Sequence, residues 1–199
     1  MDPLDNPIWA ALTSHQSHFA IGRGLARRFP SAVSPHGAFA ALTPEAWEAM
    51  ASLAHDPVGL FSPTPIEPPP GWTVTRKVEL YEMVQQDGLE LPPSRHPIVN
   101  LTPADLPQIS ALYEATRPGR RVSPRQHELG GFIGIQTDGQ VVAMAGLRLH
   151  FPEFREISTV GTLPGYTGLG YATALVAELA RRIRATGERP FLTVRTDNP

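Results

Sequence analysis

The chain has 199 residues, 17 Lys plus Arg against 19 Asp plus Glu, and no cysteine. A net charge of −2 supplies no basic excess for nucleic acid or an anionic membrane. The missing thiols exclude disulfide scaffolds, thiolate zinc sites and cysteine nucleophiles. No apolar run approaches the ~18 residues needed to span a bilayer, and Met1-Asp2-Pro3-Leu4-Asp5 lacks the basic and apolar parts of a signal peptide. A cytoplasmic protein with no membrane or nucleic-acid partner is therefore expected.

In the first part of the chain, Thr43-Pro44-Glu45 opens a helix running to Ala54. Thr43 can cap the free amides and Pro44 suits the first helical position. Trp47, Met50 and Leu53 share one face. Ala38–Leu42 and Val58–Phe61 read as short flanking strands, Trp72–Val78 as another, and Glu79–Gln86 as a short polar or helical piece. Proline is abundant, 22 residues, and concentrated between residues 57 and 107. Pro92, Pro93 and Pro97 make residues 87–97 a stiff connector.

Beyond it, Ile98–Leu101 predicts a strand, and Thr102-Pro103 opens a second helix with Ile109, Leu112 and Tyr113 on its apolar face. Arg117–Gln126 is a basic loop. Phe132–Gln136 and Val141–Leu149 form a hairpin around Asp138-Gly139, a pair suited to a tight turn. A strand over Arg155–Thr162 enters the turn Leu163–Gly170. A helix follows over Tyr171–Thr186, with Ala172, Leu175, Val176, Leu179 and Ile183 as its buried stripe and Gly187 as its stop. Phe191–Arg195 is the closing strand.

The stretch that carries chemistry is Glu156–Ala172. Gly168 and Gly170 let the backbone turn where side chains would interfere. The first helical amides lack internal partners and can hold an anion such as a diphosphate. Taken alone, the loop is equally an ordinary strand-to-helix turn, because short glycine patterns are weakly specific. A nucleotide P-loop is disfavoured because no Lys-Ser or Lys-Thr follows the glycines.

Val160-Gly161-Thr162-Leu163-Pro164-Gly165-Tyr166-Thr167-Gly168-Leu169-Gly170-Tyr171-Ala172 resembles the acetyl-CoA-binding motif of the GNAT N-acetyltransferase superfamily. Pro164, Gly168, Gly170, Tyr171 and Ala172 match in register, and the order of elements from Ile98 to Pro199 agrees. The resemblance implies an α+β fold with a mixed, mostly antiparallel sheet flanked by helices. Residues 98–199 would be the acetyltransferase domain, and residues 1–86 a smaller, degenerate N-terminal α/β half like that of some bacterial two-part members. It also implies acetyl-CoA as co-substrate and transfer of an acetyl group to a small-molecule or peptide amine. Val160, Gly161, Thr162, Thr167, Gly168, Leu169, Gly170, Tyr171 and Ala172 would then hold the coenzyme. No metal site is expected, since His15 and His18 have no third ligand in view.

Two departures bear on this reading. Thr167 and Leu169 stand where the motif is commonly basic, so the amide cradle survives without cationic help from its own loop. Arg117, Arg120, Arg121 and Arg125 could supply charge, although a solvated loop explains them as well. The chain also stops at Pro199, where family members continue through a helix and a hairpin that often carry a thiolate-protonating tyrosine. A truncated sequence is therefore expected, with an open edge on the strand Phe191–Val194. Glu156 is the candidate base, acting directly or through water, with Glu153 and His150 as fallbacks and Glu128 as a possible border of the substrate site. The alternative is a catalytically silent acyl-CoA-binding or regulatory module. Neither the substrate amine nor the oligomeric state can be read from the sequence.

Overall fold

The computed structural model describes residues 2–86, 88 and 93–197. The first helix, α1 (Pro7–Thr13), starts with the Asn6 side chain accepting from Trp9 N, and Pro7 follows in the first turn. Its seven residues are too few to produce a readable apolar period, which is why the sequence analysis passed over it. Strands β1 (Ala26–Arg28) and β2 (Gly37–Phe39) pair antiparallel in a small two-stranded sheet. Helix α2 (Pro44–Leu53) starts as expected, with Thr43 Oγ1 accepting from Ala46 N at 3.3 Å. Trp47 and Met50 are buried against Phe39 and Ala26.

The larger sheet has six strands in the order β3-β8-β7-β6-β5-β4. In chain order these are β3 (Leu80–Val84), β4 (Val99–Leu101), β5 (Phe132–Thr137), β6 (Gln140–Phe151), β7 (Phe154–Thr162) and β8 (Arg189–Arg195). All neighbours are antiparallel except β7 and β8. That parallel pair needs a crossover, and α4 (Tyr171–Ala185) supplies it. α4 buries Leu175, Leu179 and Ile183 against Ile133, Val142 and Ile157. Helix α3 (Leu106–Thr116) buries Ile109 and Leu112 with Phe132 and Met144. The Asp138-Gly139 turn has the expected positive φ angles, 51° and 79°.

The N-terminal segment has a small cluster of its own around Trp47 and Met50, and it also shares a core with the large sheet. Ile8, Leu12, Phe29 and Val33 pack with Leu149, Phe151, Phe154 and Phe191 of the large sheet in one cluster. Phe29, Phe151 and Phe191 are fully buried, and each such side chain contributes about 1.5–3 kcal/mol by leaving water. The connector expected over 87–97 falls partly on residues 87 and 89–92, outside the described residues.

Several expectations need correction. Trp72–Val78 forms no strand, and Val58–Phe61 contributes only a single parallel bridge, His36 to Gly59. The piece read as polar or helical contains β3, which pairs with β8 from Leu80↔Arg195 to Val84↔Phe191. The strand expected to have an open edge is therefore covered, by a segment more than a hundred residues away. Local composition carries no signal for such a pairing, because the register belongs to the partner strand. Among the described residues, no helix is long and apolar enough to cross a membrane.

Candidate active site

The loop before α4 turns through three glycines with left-handed backbones: Gly165 (φ 91°), Gly168 (77°) and Gly170 (78°). An L side chain at such angles is strained. The space above them is free, since a Cβ added at any of the three meets nothing within 4 Å. The first helical hydrogen bond runs from Ala174 N to Gly170 O at 2.9 Å, so the amides from Tyr171 to Thr173 have no helical acceptor. Together with the dipole of a 15-residue helix, they form a ready anion site. The residues present therefore fit the diphosphate of a coenzyme A thioester. Tyr171 packs edge-on against His96, with centroids 4.8 Å apart, so its side chain leaves the cradle while its amide stays in it. Thr167, Gly168, Leu169 and Gly170 are all exposed.

Strands β7 and β8 run side by side for three residues only. Phe154, Arg155 and Glu156 pair with Arg189, Pro190 and Phe191, and beyond them the strands part. At the same level the β6–β7 ladder slips: Gly146 faces Ser158 while Met144 faces Gly161. This leaves Thr159 and Val160 opposite the single residue Ala145, a β-bulge. Thr159 adopts φ 56°, a costly angle for a β-branched residue. Its hydroxyl accepts from Gln126 Nε2 at 2.8 Å, and Val160 O accepts from Arg117 at 2.8 Å. Of the basic cluster, Arg117 thus serves the bulge, while Arg125 pairs with Glu128 at 2.6 Å. That pairing holds the Glu128 carboxyl below its ordinary range.

Glu156 lies at the apex of the fork and is fully buried. Arg148 Nε donates to its Oε2 at 2.7 Å, Arg148 Nη2 to its Oε1 at 2.5 Å, and Thr193 Oγ1 to the same Oε1 at 3.0 Å. Both oxygens are engaged, so the expectation that Glu156 takes a substrate proton directly is revised: the carboxylate is the interior partner of Arg148. Of the fallback candidates, Glu153 sits in the β6–β7 turn and His150 hydrogen-bonds Glu188.

Three residues that the sequence did not single out surround this ion pair. Glu82 on β3 is the register partner of Thr193, so the two side chains share a face of the sheet. Its side chain reaches solvent, and partial desolvation, then the negative charges of Glu156, Asp2 and Asp5, push its carboxyl up to about 7. His36, beside β2, lies within hydrogen-bond distance of Ser34 Oγ (Nδ1···Oγ 2.8 Å). Burial, then the charge of Arg148, lowers its pKa to about 3 and keeps it neutral. Phe61 lies edge-on to His36, with Arg148 5.5 Å from its ring centroid. None of the three belongs to a local motif; each reaches the fork through the packing of the N-terminal segment on the sheet.

Residues 98–199 match the family described as "Acetyltransferase (GNAT) family". Over its whole length the chain is 34% identical to a GNAT-family protein from Novosphingobium aromaticivorans, covering 88% of that chain with a TM-score of 0.88. A GNAT-family acetyltransferase from Colwellia psychrerythraea shares the fold at 15% identity and a TM-score of 0.52, over 61% of this chain and 48% of that one. A search of curated proteins returned no match. On the family match over residues 98–199 and the 34% identity along the whole chain, the chain belongs to the GNAT acetyltransferase family.

Proposed function

We propose that the protein is an N-acetyltransferase that moves the acetyl group of acetyl-CoA to a small-molecule or peptide amine. The observation that carries this reading is the juxtaposition at one fork. An open amide cradle stands at the head of α4, β7 and β8 part beside a bulge, and the Glu82 carboxyl stands on the neighbouring strand as the register partner of Thr193.

The amides from Gly168 to Ala172 hold the diphosphate, and Thr167 and Leu169 leave that grip to the backbone alone. Holding thioester and amine together replaces an intermolecular encounter with an intramolecular step. The bulge frees backbone of Val160 to Thr162 from regular pairing, where an amide can polarise the thioester carbonyl. Glu82 is the base: a carboxyl near pKa 7 is half ionised at neutral pH, which suits proton acceptance from an ammonium. The freed amine attacks the carbonyl carbon, the C–S bond breaks, and the second proton shed by the attacking nitrogen passes through solvent to the departing CoA thiolate. Glu156 does not touch the substrate in this scheme. It anchors Arg148 and Thr193, and its charge raises Glu82.

The test is release of free CoA from acetyl-CoA across a panel of amines, followed as a function of pH. Glu82→Gln should lower kcat by about 10²–10⁴ and remove the limb centred near pH 7. An unchanged rate and profile in that variant would remove Glu82 from the mechanism. The missing cations at Thr167 and Leu169 favour a second reading, a silent acyl-CoA-binding module. Tight CoA binding without release on any amine would establish it instead.

A further inference from the structure

His15, His150 and Glu188 come from the turn after α1, the end of β6 and the residue before β8. Their ligating atoms all lie within 4.8 Å of one another. His150 Nε2 and Glu188 Oε1 are 2.5 Å apart, and the His15 and His150 ring centroids are 4.4 Å apart. Sequence separations of 135 positions from His15 to His150 and 38 from His150 to Glu188 hid the third ligand that His15 lacked in the sequence.

We propose that these three side chains bind one divalent transition cation, zinc foremost. Two imidazole nitrogens and one carboxylate oxygen are the donor set that such ions take, with a fourth position left to water. His15 is exposed, so solvent reaches that position. Thr186 Oγ1 lies 2.9 Å from Glu188 Oε2 and 2.6 Å from Ile183 O, so its one proton is shared between them, and the contact still turns Oε2 away and leaves Oε1 to the metal; outer hydrogen bonds of this kind orient metal ligands. In a tetrahedral zinc site, ligand atoms stand about 3.3 Å apart. His150 and Glu188 need to separate only slightly, and His15, at the surface, can swing to meet them. Arg155 is the opposing cation: its charge is felt by Glu188 and it weakens the site without filling it.

An ion here would tie the α1 turn to both β6 and the start of β8. The neighbouring Gln16 donates to Arg148 O at 2.7 Å, so the tie would brace the segment next to the Arg148–Glu156 pair. The proposal is independent of the acyl-transfer reading, and each can fail without the other.

The experiment uses the full chain, stripped with a chelator and titrated with zinc chloride by calorimetry, with thermal melting alongside. One zinc per chain and a raised Tm are expected. His15→Ala and Glu188→Gln should each weaken binding by about 10–100-fold. The exposed His18→Ala should leave it unchanged. Absence of binding heat, or affinity unaltered in both ligand variants, overturns the site. His15→Ala alters only a surface side chain, so it decides the matter even if Glu188→Gln folds poorly.

Discussion

Thr193 and Glu156 are joined side chain to side chain at 3.0 Å, on two strands whose backbones have just separated. The last paired residues of β7 and β8 are Glu156 and Phe191, so the hydroxyl bridges the fork at its opening. Arg148 donates to the same Glu156 oxygen and also reaches Thr193 Oγ1 at 3.1 Å. Polar side chains therefore close the inner end of the fork where backbone pairing stops. The geometry of the site depends on this small interior network.

Breaking one member of the network should be costly. Glu156→Gln leaves the Arg148 guanidinium buried without its counter-charge, and a loss of about 3–5 kcal/mol in urea unfolding is expected. Replacing both partners by apolar residues, Arg148→Met with Glu156→Leu, should cost much less. A double variant as unstable as Glu156→Gln would show that the packing, not the uncompensated charge, sets the loss.

His36 should make the fold acid-sensitive. Its pKa falls from about 6.5 unfolded to about 3 folded, by burial first and Arg148 second. Between those values the unfolded chain binds the extra proton, so the stabilising contribution is full above pH 6.5 and is lost as pH falls toward 3. His36→Gln should show a flatter urea midpoint across this window. An equally steep profile in the variant would assign the acid loss to other groups.

Glu82 acts with the opposite sign. Its carboxyl rises from 4.5 to about 7 on folding, so the folded state holds the proton more tightly. Its contribution is full below pH 4.5 and disappears as pH rises through 7. Glu82→Gln should therefore raise Tm at pH 8 relative to the parent more than it does at pH 4.5. Equal Tm differences at both pH values would mean that Glu82 is not shifted.

The cradle offers a direct binding test. Gly170→Glu adds a carboxylate and a strained L residue at φ 78°, where the diphosphate would rest. Calorimetric binding of acetyl-CoA should be lost while far-UV circular dichroism is kept, since the new Cβ meets nothing within 4 Å. Undiminished affinity would remove the loop from the coenzyme site.

Much of the second half was legible in sequence. The Asp138-Gly139 hairpin, the period of α4 and the glycines before it are local signals whose physics acts within a few residues. The N-terminal half was harder. The Thr43-Pro44 start marked α2, but α1 is too short to show a period, and β3 lies in a segment without strand-like alternation around it. Glu156 was read from the sequence as the candidate base; its burial and its engagement by Arg148 and Thr193 are properties of the folded sheet that the sequence could not show.

The sequence by itself determined the glycine-bearing loop and the helix that follows it, since both arise from backbone preferences and periodicities of neighbouring residues, while the order of elements beyond Ile98 was carried by the resemblance to the GNAT family. Tertiary structure alone decided that β3 covers β8, that Glu82 and His36 flank the Arg148–Glu156 pair, and that His15 meets His150 and Glu188. Those outcomes depend on desolvation and on distances between residues far apart in the chain, which exist only once the N-terminal segment has packed onto the sheet.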